Sequence, residues 1–221
     1  GISAVTATLS NSASQRVDTT FVADETTAEI TAGNLTVTTD NAAANGTATN
    51  AVLATVTDAN GNPVSGQVVS FSADNGATIA ANGTTGADGT VSETLTNTAA
   101  GVSNVTATVN GSSQRVDTTF VADDTTAEIT AGNLTVTTDN AIANGTATNA
   151  VQATVTDANG NLVSGQVVSF SADNGAEAST VIGTTGADGI ATATLTNTAA
   201  GISAVTATLS NSASQRVDTT F

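Results

Sequence analysis

The sequence predicts an all-β chain, built as tandem immunoglobulin-like Greek-key β-sandwiches in an extended rod. Three observations predict it: an internal repeat of about 100 residues, a period-two alternation of apolar and polar residues, and regularly spaced turn sequences. The repeat organises everything else. TAGNLTVTTDNA begins at Thr31 and returns at Thr130, and SGQVVSFSADNGA begins at Ser65 and returns at Ser164. The loop ATIAANGTTGADG (77–89) returns one residue longer as AEASTVIGTTGADG (176–189). GISAVTATLSNSASQRVDTTF stands unchanged at 1–21 and 201–221. The expected domains are therefore 22–121 and 122–221, preceded at 1–21 by the last two strands of another repeat. A chain so divided reads as a segment of a longer array. Residues 1–21 should have little order unless they pack on a domain or pair with another chain.

Within the first full repeat the strands follow in order. Val52, Ala54 and Val56 alternate with polar or small residues in AVLATVTD, as do Val69 and Phe71 in VVSFSA. Val105, Ala107 and Val109 do so in NVTATVN, and Val116, Thr118 and Phe120 close the repeat in RVDTTF. Period two with Thr and Val enrichment is the mark of half-buried strands. Between them lie DNAAANG (40–46), DANGNP (58–63), DNG (74–76), ANGTTGADG (81–89) and NTAAG (97–101). Each offers Asn, Asp or Gly where the chain must reverse or take a positive φ. No stretch carries the 3.6-residue period and caps of a helix. About seven short strands per hundred residues make an immunoglobulin-type sandwich.

Composition then removes most chemistry. The 221 residues include no Cys, His, Met, Trp, Tyr or Lys, and the three cations are Arg16, Arg115 and Arg216. No Ser-His-Asp triad, His-ligated zinc, thiolate site, Schiff base or P-loop lysine can be built from this set. Net charge is −16, which argues against nucleic acid and anionic membrane as partners. No apolar run is long enough for a membrane-spanning helix, so direct membrane insertion by this segment is not expected. Aromatic residues are 2% of the chain, so the core must be Val, Ile, Leu and Ala around five Phe. Phe71 and Phe170 fall mid-strand and should be core; Phe120 and Phe221 end the last strands and should pack there.

Other notable residues have plain readings. Arg115 and Asp117 lie two apart on one strand face and form a solvated pair. Glu93 is in phase with Val91 and Leu95, so either its strand is bulged or its carboxylate reaches water at a sheet rim. The second copy has Ala193 there. Carboxylates in turns are Asx caps rather than a glycosidase pair, and Asn-x-Thr sequons such as Asn34, Asn45 and Asn133 follow from a Thr-rich composition.

The segment ATVTDANGNPVSGQVVSFSADNGA (54–77), followed by GTTGADGTVSETLTNTAAGVSNVTATV (83–109), resembles the bacterial immunoglobulin-like domain of the intimin/invasin family. The shared pattern is a D-x-N-G-N-P-V-x-G turn, a Val-Val-x-Phe strand, a T-x-x-x-G turn and an A-G-x-x-x-V-T-A strand. Leu162 stands where the first copy has Pro63. The resemblance implies repeats in the extracellular stalk of an outer-membrane adhesin, anchored by a β-barrel and ending in a tip, neither of which lies in these residues. The expected function is mechanical: spacer repeats projecting an adhesive tip from the bacterial surface, with neighbouring repeats as partners. Strands of about ten residues at ~3.3 Å each make domains ~35–40 Å long. The alternative is that the repeats themselves bind host protein, glycan or a like stalk on another cell. That reading requires exposed apolar or aromatic patches.

One metal site is conceivable. In a Greek-key sandwich the VADDT connector brings Asp123 and Asp124 toward Asp74 of one repeat and Asp157, Asn159, Asn161 and Asp188 of the next. These are hard oxygen ligands of the kind calcium takes, six to eight at a time. Neither an EF-hand spacing nor a Gly-Gly-x-Gly-x-Asp repeat is present, and the same residues serve equally as turn caps.

Overall fold

The structure, a computed structural model, describes residues 1–179 and 181–221. Strands β1 (Ile2–Thr8) and β2 (Ser14–Thr20) form a two-stranded hairpin in which every residue is exposed. The first full repeat holds β3 (Leu35–Thr39), β4 (Ala42–Ala43), β5 (Asn50–Thr55), β6 (Val68–Ala73) and β7 (Thr78–Ile79). It continues with β8 (Asn82–Thr84), β9 (Thr90–Thr96), β10 (Gly101–Val109) and β11 (Ser112–Val121). Its two sheets run β3-β5-β9-β7 and β4-β11-β10-β6-β8. The crossovers from β5 to β9 and from β6 to β10 are those of an immunoglobulin-type Greek key, as the strand and turn spacing predicts.

The second repeat follows the same plan. Its strands are β12 (Leu134–Thr138), β13 (Asn149–Thr154), β14 (Val167–Ala172), β15 (Glu177–Ala178), β16 (Ile182–Thr184), β17 (Ile190–Thr196), β18 (Ile202–Leu209) and β19 (Ser214–Thr220). They assemble as β12-β13-β17-β15 and β16-β14-β18-β19. Alternation decides what faces inward. Val151, Ala153, Val168, Phe170, Leu195, Val205, Ala207 and Leu209 form its core, with Phe221 packed at the edge. In the first repeat Val52, Ala54, Val56, Val69, Phe71, Val105, Ala107, Val109 and Phe120 are buried, as their phase requires.

Turn residues take the conformations their chemistry favours. Asn75 and Gly76 both have positive φ (54° and 77°), as do Asn174 and Gly175 (54° and 76°). The connectors VADET and VADDT each contain one 3-10 turn, Glu25–Thr27 and Asp124–Thr126, capped by Asp24 and Asp123. Strand β9 pairs with β5 in unbroken register, Val52 opposite Glu93, so the strand is not bulged there. Glu93 is half-buried and its carboxylate lies over Gly83, where an added Cβ would stand 2.6 Å from Oε1. The glycine clears room for the acid.

By their contacts the residues fall into two compact units. One comprises 1–40, 49–95 and 102–118; the other comprises 41–48, 96–101 and 119–221.

Candidate functional site

The most organised polar cluster lies in the second unit, around the turn Asp157–Asn161. The sequence Asp-Ala-Asn-Gly-Asn folds as an Asx turn because one carboxylate can collect several amides at once. Asp157 Oδ1 accepts from the backbone N–H groups of Asn159 (2.9 Å) and Asn161 (2.8 Å). Its Oδ2 accepts from Asn161 Nδ2 (2.9 Å) and from the Asp123 backbone N–H (3.0 Å). Gly160, at φ +84°, completes the reversal. Burial pushes the Asp157 carboxyl up, but the Asn161 side chain and the Asp123, Asn161 and Asn159 amides outweigh it. The net shift is downward.

From this turn the two Asn side chains reach residues 41–48 and 96–101 of the same unit. Asn161 Nδ2 donates to the Thr98 carbonyl (3.0 Å), and Asn161 Oδ1 accepts from the Ala100 N–H (2.8 Å). Asn159 Nδ2 donates to the Ala44 carbonyl (3.0 Å). Asp123 accepts from Asn45 Nδ2 at 3.3 Å and from both the N–H and Oγ1 of Thr125. Thr125 and Asn45 hold the Asp123 carboxyl below its ordinary value. Ala42–Ala43 pairs in parallel with Phe120–Val121, and Ala44 N–H donates to the Val121 carbonyl at 2.7 Å. A cavity of about 460 Å³ opens beside these residues, lined by Asn41, Ala43, Val121, Ala122, Asp124 and Leu162 among others.

The same turn in the first unit shows what is local and what is added. Asp58 takes the Asn60 and Asn62 amides, the Asn62 side chain and the Asp24 N–H, with nearly the same distances as its counterpart. Asp24 is exposed there, whereas Asp123 is 7% exposed. The carboxylate-centred turn therefore belongs to each repeat. The contacts of Asn159, Asn161 and Asn45 are an addition to it.

The calcium candidates are placed as follows. Asp123, Asp157, Asn159 and Asn161 share the cluster just described. Asp124 is exposed in the first turn of its 3-10 segment. Asp188 is exposed and caps the Ile190 N–H at 3.1 Å. Asp74 lies in the first unit, where it accepts from the Asn104 N–H at 2.6 Å. Among the described residues, no three Asp or Glu side chains gather as a metal site would require. The clustered carboxylates are met by amide and hydroxyl donors of the chain itself. Phase and composition did not reveal Asn45 as a partner of Asp123; the sequence signal available was only that NGTATN follows DNA in both repeats.

The cationic residues sit on exposed faces. Arg115 Nε donates to Asn104 Oδ1 at 2.6 Å, and Asn104 in turn donates to Asp117, so an Asn bridges the expected pair. Arg216 lies 3.6 Å from Asp218 and 3.7 Å from Asp173. Among the described residues no helix is long and apolar enough to cross a membrane.

Comparison with known proteins agrees with this architecture. The family model described as bacterial Ig-like domain (group 1) matches residues 32–121 and again 131–221. The inverse autotransporter adhesin YeeJ of Escherichia coli K12 is 35% identical over 199 residues, covering 85% of this chain. The chain spans 8% of that protein's length. Among solved structures, Yersinia pseudotuberculosis InvD is 25% identical with a TM-score of 0.62, covering 86% of this chain and 58% of that one. The Escherichia coli adhesin FdeC is 25% identical with a TM-score of 0.54, covering 94% of this chain and 68% of that one.

Proposed function

Because the chain belongs to the bacterial Ig-like domain (group 1) family of invasin- and intimin-type adhesins, we propose that its repeats are stalk modules of a bacterial surface adhesin. They act as spacers that carry an adhesive region away from the outer membrane. Their relatives are adhesins and not enzymes. The observation that carries the spacer reading is the polar cluster of the second unit. It commits the buried Asp157 and Asp123 carboxylates and the more exposed Asn159, Asn161 and Asn45 side chains to fixing residues 41–48 and 96–101, and among the described residues it presents no converging reactive groups. A spacer needs defined geometry in each module and a surface that does not stick. A net charge of −16, on a chain with 10% charged residues, supplies the second requirement.

Small-angle scattering of the 221-residue chain tests this. The expected profile is that of an elongated particle, its maximum dimension well beyond the ~35–40 Å of one sandwich. A profile of a compact globule would overturn the spacer reading. Beads coated with the chain provide the second arm: adherence to host cells or to each other would favour repeats that bind in their own right.

A further inference from the structure

We propose that the parallel pairing of β4 with β11 is a tension-bearing lock, and that Asn159 is the latch that holds it shut. The stalk reading supplies the tension, since a spacer is pulled through its own chain, and the lock rests on that reading for its purpose alone. The pairings of β3 with β5, β5 with β9 and β6 with β10 are antiparallel, whereas that of β4 with β11 is parallel. Phe120 lies opposite Ala42, and Val121 opposite Ala43. Asn41 N–H donates to the Thr119 carbonyl at 3.0 Å, and Ala44 N–H to the Val121 carbonyl at 2.7 Å. Just before the patch, Thr118 Oγ1 donates to Asp40 Oδ1 at 2.8 Å. Ala44, Thr118 and Phe120 are buried, so water competes poorly for these bonds. Asn41, at φ 60°, turns the chain from β3 of one sheet into β4 of the other. The second repeat begins the same device. Its Asn140, at φ 61°, donates to the Thr220 carbonyl at 3.0 Å, and Thr219 Oγ1 donates to Asp139 at 2.8 Å.

In a parallel pair, the N-terminal end of one strand and the C-terminal end of the other lie at opposite ends of the patch. A pull that enters at Asn41 and leaves at Val121 therefore drives the strands past each other along their axis. It loads every bond of the patch at once. Residues 45–118 lie behind that patch and cannot be drawn out until β4 and β11 part. The last bond, Ala44 to Val121, does not stand alone. Asn159 Nδ2 donates to the Ala44 carbonyl at 3.0 Å, and Asn45 Nδ2 donates to Asp123 Oδ2 at 3.3 Å. Ala44 is thus held through both its backbone groups, its N–H by β11 and its carbonyl by Asn159.

The chain has no cysteine, so introduced thiols fix where a single molecule of the full chain is pulled. Glu25 and Asp124 are exposed in the two connectors. Handles on Glu25→Cys and Asp124→Cys load the patch from opposite ends. Handles on Thr49→Cys and Asp124→Cys load it from one end, because exposed Thr49 follows β4 and directly precedes β5. Its bonds then open one after another. At the same constant force, the first pair should survive at least about tenfold longer than the second. Rupture should release ~300 Å of chain with the first pair and ~250 Å with the second, at ~3.5 Å per residue. Asn159→Ala should shorten the first lifetime roughly three- to tenfold, the factor for one lost hydrogen bond. The released length should not change, and the Asn159 N–H bond to Asp157 is untouched. Thr118→Val keeps the side chain's shape and should shorten the lifetime likewise. Equal lifetimes for the two handle pairs would overturn the lock. An Asn159→Ala lifetime equal to that of the parent chain would overturn the latch. Neither result alters the scattering profile of the unloaded chain, so failure of the lock is distinct from failure of the stalk reading.

Discussion

Asn161 binds Asp157 and Thr98 through the same amide nitrogen, at 2.9 Å and 3.0 Å, while its oxygen takes the Ala100 N–H at 2.8 Å. One half-buried side chain thus ties a carboxylate-centred turn to two backbone groups 61 and 63 residues away in sequence. Asn161→Ala removes all three bonds and leaves the Thr98 carbonyl and the Ala100 N–H short of a partner. The expected loss is about 1–3 kcal/mol, read as a lower melting temperature of the second unit. Asn62→Ala makes the matched comparison, because Asn62 serves the Asp58 turn. It should cost the turn's own bonds alone. Equal losses at the two positions would mean that the bonds to residues 98 and 100 contribute nothing.

Phe71 is 5% exposed and lies on β6 opposite Ala107, with Val69, Val105 and Val109 among the buried aliphatic side chains of its repeat. Phe71→Ala should destabilise its sandwich by about 3–5 kcal/mol, because neighbours as small as Ala107 cannot close the cavity. Calorimetry of the full chain should show one transition moved down by many degrees and the other nearly unmoved. Phe170→Ala should move the other transition. A single shared shift would mean that the two sandwiches unfold as one cooperative body.

The strands that were legible in the sequence are those whose phase is written in Val and Phe. Val52-Ala54-Val56 and Val105-Ala107-Val109 could point only one way. The parallel pairing of Ala42–Ala43 with Phe120–Val121 was not legible. Three consecutive alanines carry no alternation, and DNAAANG reads as a turn. The 3-10 turns escaped for a similar reason, since three residues are too few to display a period. For the site, D-x-N-G-N announced a turn correctly. The partners of its two Asn side chains lie 61 to 115 residues away in sequence. No local pattern encodes such a distance. Glu93 was half legible: its phase was inward, but the Gly83 that accommodates it lies in ANGTTGADG, which reads as a turn, whereas the structure makes Asn82–Thr84 the short strand β8.

Calcium provides a third test. Asp123 and Asp157 already accept from amides and hydroxyls, and Asp188 caps its own loop. An ion would have to displace these donors before gaining the six to eight oxygens it needs. Melting in chelator and in millimolar Ca²⁺ should therefore coincide. A higher melting temperature with calcium, lost in Asp123→Asn/Asp124→Asn, would show that the cluster rearranges into a metal site.

Acid should weaken the fold through the turn carboxylates. Asp58 is 3% exposed, yet the Asn62 side chain and the Asp24 amide bring its carboxyl down to about 2, against burial. Asp88, Asp123, Asp139 and Asp157 are lowered as well, each by amide or hydroxyl donors. An unfolded Asp titrates near ~3.9. The native state thus binds these protons less readily than the unfolded chain does. Stability from the ionised form is complete above about pH 4 and is lost as pH falls toward about 2. Protonation also relieves repulsion in a chain of net charge −16, which acts in the opposite direction. At ~0.15 M salt the repulsion between exposed charges is screened beyond about 8 Å, whereas the turn bonds are short and sheltered. The turn carboxylates should therefore dominate. Melting temperature should be flat from about pH 8 to about pH 5 and fall steeply below about pH 4. Asp58→Asn should melt lower at neutral pH, since an amide cannot accept from every donor the carboxylate serves. Its acid-induced fall should also be shallower than that of the parent chain. A melting temperature that stayed level or rose between pH 5 and pH 2.5 would show that charge relief outweighs the Asx turns.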